Sequence, residues 1–599
     1  MKKIYLYATL LCAFTLSSCE DILDPKIDGG YGDEFTWKNP TKAKGILLQA
    51  YDVIPKQWDS DYSGTFLDAA TDNAVTGDLS SSMYKLAQGG MSNSTNPIGI
   101  WNKAYTQFYN INLFLENGLS DDIIYRLSDE EVNKEFKKRL KGVAYFLRAW
   151  WGSELLRIYG GITDDGEALG YRIVTEIAQT IDPGLEYQRD SYEACVKQIL
   201  KDCDEALLCL PEKLLGSTND AIYSEVNIGS IDQRVCWALK SRVALYAASP
   251  AYQPQGSYAI TEDAIQEKWM RAAKIACEAL DAKTTDGKDL IGGYTPLKED
   301  KFNKNQSPDE FLFRKFHSNQ SLEKSNYPPR FRGNARTQPS QNLVDAFYDI
   351  NGYPINHPNT VYDASRPYAN RDPRLDWNIY YDERIFGNEN VPLEIYSDGV
   401  TGRPAQDADG FDYRNSRTGY YLRKWLSTKA QMLSLENSQN DNHSHALIRR
   451  TEVYLNCVEA LNEAVGPKGT LPEHPNRIAY NIVNNIRNQA GIKTPGKYLD
   501  EVAALGKEEF RKVIQNERRL ELAFENHRYF DMRRWLLPLD EPVKGMKCVK
   551  TTGTKVYDTN VQVESRERLS DSKYYYAPLP YDELVKNPMM KDNRGWSSR

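Results

Sequence analysis

The sequence is short of the residues and patterns that mark most chemistries. It has six histidines in 599 residues, no HExxH pair, no GxSxG elbow, no GxxxxGK[ST] phosphate loop and no clustered CxxC pairs. Those gaps remove the motif-borne routes to zinc hydrolysis, serine hydrolysis, nucleoside-triphosphate chemistry and zinc-ribbon folding. A surplus of positive charge is missing too, since 75 Lys and Arg stand against 83 Asp and Glu for a formal charge of −8. Such a chain has no general attraction for phosphates, and a nucleic-acid partner is not expected. After residue 18 no apolar run approaches the ~20 residues of a membrane-spanning helix. Aromatic surface is plentiful, with 39 Tyr and 11 Trp, and aromatic faces suit sugar rings, peptides and other flat apolar surfaces. Charged residues at 26% and hydrophobic residues at 41% are otherwise ordinary for a globular chain.

The first residues decide the compartment. Lys2 and Lys3 precede an uncharged run from Ile4 to Ser18, a signal-peptide pattern too short for a permanent span. The run ends at Leu16-Ser17-Ser18-Cys19, which resembles a bacterial lipobox. Residues 1–18 are therefore expected to leave as a signal peptide and Cys19 to become an acylated N-terminus. Each buried CH₂ of an acyl chain gains ~0.8 kcal/mol, so several chains on Cys19 would hold the protein on a membrane without a spanning helix. Glu20 and Asp21 resemble the acidic start of surface-exposed lipoproteins of Bacteroidetes. Of nine cysteines, Cys12 leaves with the signal and Cys19 takes lipid, so an odd number remains and a complete disulfide framework is not indicated. Cys195 and Cys203 on one helix would stand ~12 Å apart, beyond the ~7 Å reach of a bridge between alpha carbons. Buried thiols are the expectation.

Helical periodicity comes in pairs. Apolar residues recur at helical spacing over 41–54, 101–115, 131–159, 191–210, 235–248, 269–280, 445–464, 477–491 and 507–535. Alanines that let helices approach, with Trp or Tyr filling grooves, give 235–248 and 269–280 the look of tetratricopeptide (TPR) helices, although no clean 34-residue period exists. Glu517, Glu521 and Glu525 fall at i, i+4 and i+8 on one face, and a carboxylate on that stripe should meet an arginine.

Two excursions interrupt the helices, 56–99 and 281–445, where Gly, Pro, Asn, Asp and Tyr dominate. Irregular stretches of this length on a rigid scaffold tend to be binding surfaces. His443 and His445 stand two apart in a polar run and read as a solvated loop rather than a metal site. Asp407, Asp409, Gly410 and Asp412 could offer oxygens to a structural calcium, but the spacing does not complete an EF-hand loop. No cofactor is otherwise expected.

The C-terminal segments resemble the SusD/RagB family of outer-membrane lipoproteins. The matching runs are Arg450-Thr451-Glu452-Val453-Tyr454-Leu455 with Glu459 to Glu463, Asn485-Ile486-Arg487, Glu517-Arg518-Arg519 through Glu525, and Asp531-Met532-Arg533-Arg534-Trp535. Asn370-Arg371-Asp372-Pro373-Arg374 and the tail from Tyr575 to Trp596 extend the likeness, with Arg594 where the family usually has proline. The resemblance implies a mainly α fold for residues 19–599, one domain in which TPR-like pairs form a right-handed superhelical scaffold bearing long loops and short strands. Its N-terminal part would span about 20–220 and its C-terminal part about 281–599. It further implies a non-enzymatic, cell-surface lipoprotein that captures glycan for a SusC-type TonB-dependent transporter. A peptide-binding member of the same system and a surface glycoside hydrolase remain alternatives, since 83 acidic residues supply carboxylate pairs by chance. Sugar recognition needs rings and hydroxyl-bonding side chains in a partly dry groove. Candidates are Asp72, Asn73 and Tyr84 in the first excursion and Tyr294, Tyr327 and Arg330 in the second, while Trp101 reads first as a helix-core residue.

Overall fold

A computed structural model describes residues 33–55, 64–126, 129–177, 187–214, 231–297, 310–387, 391–429, 432–436 and 438–597. The signal segment and Cys19 lie outside the described residues, as do 56–63 of the first excursion. Among the described residues no helix is long and apolar enough to cross a membrane.

The helices are α1 (Pro40–Asp52), α2 (Trp101–Asn117), α3 (Glu130–Tyr159), α4 (Tyr192–Leu207), α5 (Gln233–Ala248) and α6 (Glu262–Asp281) in the first half. The second half adds α7 (Arg450–Val465), α8 (Ala479–Ala490), α9 (Pro495–Ala504), α10 (Lys507–Glu521), α11 (Arg528–Arg534) and α12 (Tyr581–Lys586). Their starts are written in the sequence. Asn39, Asp129, Ser191, Asp232 and Thr261 each cap a first turn by accepting backbone N–H groups with the side chain, satisfying donors that a helix leaves open. Gly491, at φ 94°, ends α8 in the left-handed region where a side chain would be strained. Packing runs in sequence from α1 onto α2, then through α3, α4, α5 and α6 to α7, which also receives α10. One continuous core results, with Trp151, Leu155, Ala244, Ala276 and Leu461 all buried in it. The chain is mainly α and TPR-like, as the periodicity predicts.

The strands that bear on the site are β1 (Ala74–Thr76), β2 (Phe311–Asn319), β3 (Thr337–Pro339), β4 (Asp441–Arg449), β5 (Val543–Thr551) and β6 (Thr554–Glu564). β2 pairs with β4, β1 with β3, and β5 with β6, all antiparallel. A second core lies beneath these irregular parts and includes Tyr327, Phe347, Leu375, Tyr421, Trp425 and Phe524.

Several expectations change. The helix expected at 445–464 starts at Arg450, because 441–449 pairs as strand β4. His443 and His445 therefore sit buried on a strand and not in a solvated loop. The helix expected over 507–535 breaks after Glu521 and resumes at Arg528. In the break Phe524 and Asn526 take φ of 59° and 62°, held there by long-range bonds: the Phe524 N–H donates to Asp68 and the Leu67 N–H to the Asn526 amide oxygen. Helix α9 and the β5–β6 hairpin have no counterpart in the periodicity reading. Cys195 and Cys203 are unbridged and buried, as are four of the other described cysteines, with Cys209 half-buried.

Candidate functional site

The two excursions meet. β1 from the first pairs with β3 from the second, matching Ala74 with Pro339 and Thr76 with Thr337. Beyond the ladder the Gly77 N–H donates to the Arg336 carbonyl at 2.8 Å. The approach is so close that a Cβ on Gly77 would lie 2.6 Å from the Ala335 carbonyl oxygen. A third strand of chain closes the seam: the Arg417 N–H donates to Gln338, and its guanidinium donates to the Thr76 carbonyl at 3.0 Å and to Glu564 at 2.6 Å. Gln88 reaches the same carboxylate at 3.4 Å. Asp78 and Arg336 form an ion pair at the rim, both half-buried.

The seam therefore has a rigid backbone and partly wetted amide, carboxylate and guanidinium groups. These can exchange hydrogen bonds with hydroxyls, which suits recognition by positioned polar groups. Tyr84 is half-exposed on a one-turn helix (Ser82–Ala87) beside this rim, its N–H accepted by the capping Ser81 hydroxyl at 3.1 Å.

Of the residues expected to touch ligand, Tyr84 and Arg330 reach the surface and four do not. Arg330 is exposed and pairs with Asp407 at 3.2 Å. Tyr327 is buried, edge-on to Phe386, and its hydroxyl donates to the Ser427 carbonyl at 2.7 Å. Tyr294 is buried with its hydroxyl on Glu521 at 3.1 Å, and burial raises its phenol well above the ordinary value. Asn73 is buried between Asp68 and Arg519. Asp72 is buried against Arg528 and Arg519. Contrary to the expectation of ligand contact, all four side chains are buried and bonded within the protein.

Of the calcium candidates, Asp407 and Asp412 have protein partners and Asp409 is exposed. Asp407 is buried, accepts the Glu394 N–H at 2.9 Å and pairs with Arg330. Asp412 chelates Arg414 through both oxygens. Among the described residues no group of three His, Cys, Asp or Glu side chains could hold a metal ion.

Sequence reasoning missed Asp78, Arg336 and Arg417, whose roles depend on the β1–β3 ladder, and it missed the outward rings of the 405–416 loop. Tyr413 is 93% exposed and Phe411 59%. A ring in a Gly- and Asp-rich run, with few apolar neighbours in sequence, was the available signal. The Glu-rich signature, in contrast, is scaffold: Glu517 joins Arg374 and Arg487, each at 2.8 Å, and Glu525 joins Arg449 and Lys424.

The sequence profile described as "SusD family" matches residues 281–596, more than half of the chain. This chain belongs to the SusD family. A second profile, described as "Starch-binding associating with outer membrane", matches residues 34–226. The SusD-like protein P25 of Formosa agariphila is 21% identical over 99% of this chain and 98% of its own length. Among solved structures, a SusD-like protein from Bacteroides fragilis covers 94% of this chain and 98% of its own at 24% identity, with a TM-score of 0.67. A SusD-like carbohydrate binding protein from the same species covers 92% and 99% at 20% identity, with a TM-score of 0.62. The SusD fold thus accounts for both halves, helical scaffold and irregular face alike.

Proposed function

We propose that this SusD-family chain is a non-enzymatic glycan-binding lipoprotein of the outer-membrane surface. It captures oligo- or polysaccharide and delivers it to a SusC-type TonB-dependent transporter. The observation that carries the reading is the seam at β1 and β3, where two separate irregular segments are locked together and present Tyr84, Asp78, Gln88, Arg336 and Arg417 at one rim. Preorganised polar groups of this kind lose little entropy when a hydroxylated ligand binds. Support also comes from the starch-binding description of the profile over 34–226, which contains the first excursion. The lipid anchor rests on the Leu16-Ser17-Ser18-Cys19 run.

Isothermal titration against oligosaccharides of plant, host and microbial origin tests the reading, with a peptide library run alongside. Saturable heat with a glycan and no new reducing ends after prolonged incubation is the expected result. New reducing ends would establish the hydrolase alternative, and heat from peptides alone would move the chain to the peptide-binding class. Cys19→Ser should shift the protein from the membrane fraction to the soluble fraction, and continued membrane retention would remove the anchor from the account.

A further inference from the structure

A groove of about 760 Å³ lies between the start of α2, residues 172–177 and the end of α12, and shares no lining residue with the seam. Its size falls within the roughly 300–1,000 Å³ of small-molecule sites. Tyr105, Tyr187, Asn587 and Met590 are among the residues that line it, and Trp101 borders it as a buried member of the helical core. The rings are fixed by one another: Trp101 meets Tyr159 edge-on and Tyr105 at a tilt, both at 5.1 Å between centroids.

The opposing wall has no regular structure, yet side chains pin it at four consecutive residues. The Tyr105 hydroxyl donates to the Arg172 carbonyl and accepts the Arg172 N–H, each at 3.1 Å. Asp190 accepts the Ile173 N–H at 2.7 Å, Asn112 donates to the Val174 carbonyl, and Arg148 donates to the Thr175 carbonyl. Buried polar groups from two helices are thus committed to holding an irregular strap in one place, which is how a binding wall is preorganised. Ile173 and Val174 of the strap pack against the main core, while Arg172 and Glu176 line the groove. Arg172 lies over the Tyr187 ring at 3.4 Å and, among the described residues, has no carboxylate partner. Glu176 and Asn102 are exposed at the mouth.

We propose that this groove is a second saccharide site, distinct from the β1–β3 seam, which takes a neutral oligosaccharide. The half-buried Tyr105 and Tyr187 rings would meet apolar sugar edges, and Arg172, Glu176 and Asn102 would bond hydroxyls. Two carboxylates line the groove, Glu176 and Glu583, against the single Arg172. That balance disfavours uronates and sulfated sugars. The assignment takes its ligand class from the proposed function and its location from the groove alone.

The test uses the full chain with maltohexaose, cellohexaose, laminarihexaose, xylohexaose and mannohexaose, each titrated calorimetrically. Arg172→Ala, Glu176→Ala and the groove-filling Asn102→Trp are compared with the seam variant Arg417→Ala, after circular dichroism confirms that each folds. A bound hexaose should occupy two sites on the wild type, and the groove variants should weaken one of them about tenfold or more while leaving the other. Binding that falls only with Arg417→Ala would overturn the second site and leave the proposed function intact. No binding of any hexaose to the wild type would overturn the groove proposal, and absence of heat with the wider glycan set as well would overturn the proposed function. A glucuronate hexaose that outcompetes the neutral ligands at the groove would overturn the charge argument.

Discussion

The Asp72 carboxylate receives both ends of the Arg528 guanidinium, Nε and Nη2 each at 2.8 Å, across 456 positions of sequence. Arg519 adds a third contact at 3.0 Å. The trio ties the first excursion to the break between α10 and α11, so it sets where the irregular face sits on the helices. Burial alone would raise the Asp72 carboxyl, but the two guanidinium charges outweigh it and hold the group well below the ordinary carboxylate range. Asp72→Asn leaves two buried cations short of a counter-charge and should cost about 3–5 kcal/mol in urea unfolding. The sign with pH follows from the depressed folded value. The stabilisation is complete above the unfolded carboxyl value near ~3.9 and fades as pH falls below it. The wild type should therefore lose more stability than Asp72→Asn on going from neutral pH to below 4, and equal losses would contradict the pair's role.

Glu517 is a second such anchor, fully buried, with one oxygen on Arg374 and the other on Arg487, each at 2.8 Å. Arg374 keeps Asp372 and Glu521 when Glu517 is neutralised, whereas Arg487 keeps, among the described residues, only the Gly352 carbonyl as a bonded acceptor. Glu517→Gln should therefore cost about 3–5 kcal/mol, most of it from stranding Arg487. Pairing it with Arg487→Met should recover a large part, a coupling that a double-mutant cycle in urea would measure. Additive losses would mean that the two residues act independently.

The contrast between these anchors and the seam explains what the sequence could and could not disclose. Helix pairs were legible because their apolar spacing is local, and the Glu517–Glu521–Glu525 stripe predicted ion pairs for the same reason. The partners were not legible, since Arg374 lies 143 positions from Glu517. Strand β4 hid His443 and His445 because its partner β2 is over a hundred residues away, and a polar run of that kind has no apolar alternation to betray a buried strand. Asp72, Asn73, Tyr294 and Tyr327 stand out by residue type within the two excursions, and residue type carries no information on burial. Burial depends on which segments meet, and that is decided by the long-range ladder rather than by composition.

At the seam the expected effects separate by exposure. Tyr84→Ala should weaken glycan binding severalfold in calorimetry with little change in melting temperature, since the ring is half-exposed. Tyr327→Phe should leave binding unchanged and cost about 1 kcal/mol, because it removes a buried hydroxyl bonded to the Ser427 carbonyl at 2.7 Å. Gly77→Val should do both, because its Cβ would meet backbone at 2.6 Å and push the strands apart, at about 1–3 kcal/mol. Binding lost with Tyr327→Phe but retained with Tyr84→Ala would place the ligand elsewhere.

Asn526 offers the sharpest dissection, because two physical effects meet at one residue and different substitutions part them. Its φ of 62° is left-handed, a conformation that asparagine tolerates and alanine resists by about 1–2 kcal/mol. Its amide oxygen also accepts the buried Leu67 N–H at 2.8 Å, a donor whose loss of partner costs about 1–3 kcal/mol. Asn526→Ala forfeits both, so unfolding should show a loss of about 2–5 kcal/mol. Asn526→Gly forfeits only the acceptor, because glycine takes positive φ freely, and should lose about 1–3 kcal/mol. The gap between the two variants measures the backbone contribution, and the glycine value measures the bond to the first excursion. If alanine and glycine were equally destabilising, the left-handed φ of Asn526 would play no part in stopping α10, and its contribution to the break would rest on the bond to Leu67. A larger loss for alanine would show that the chain ends a strongly helix-forming segment by pairing one tolerant residue with a partner more than 450 positions away.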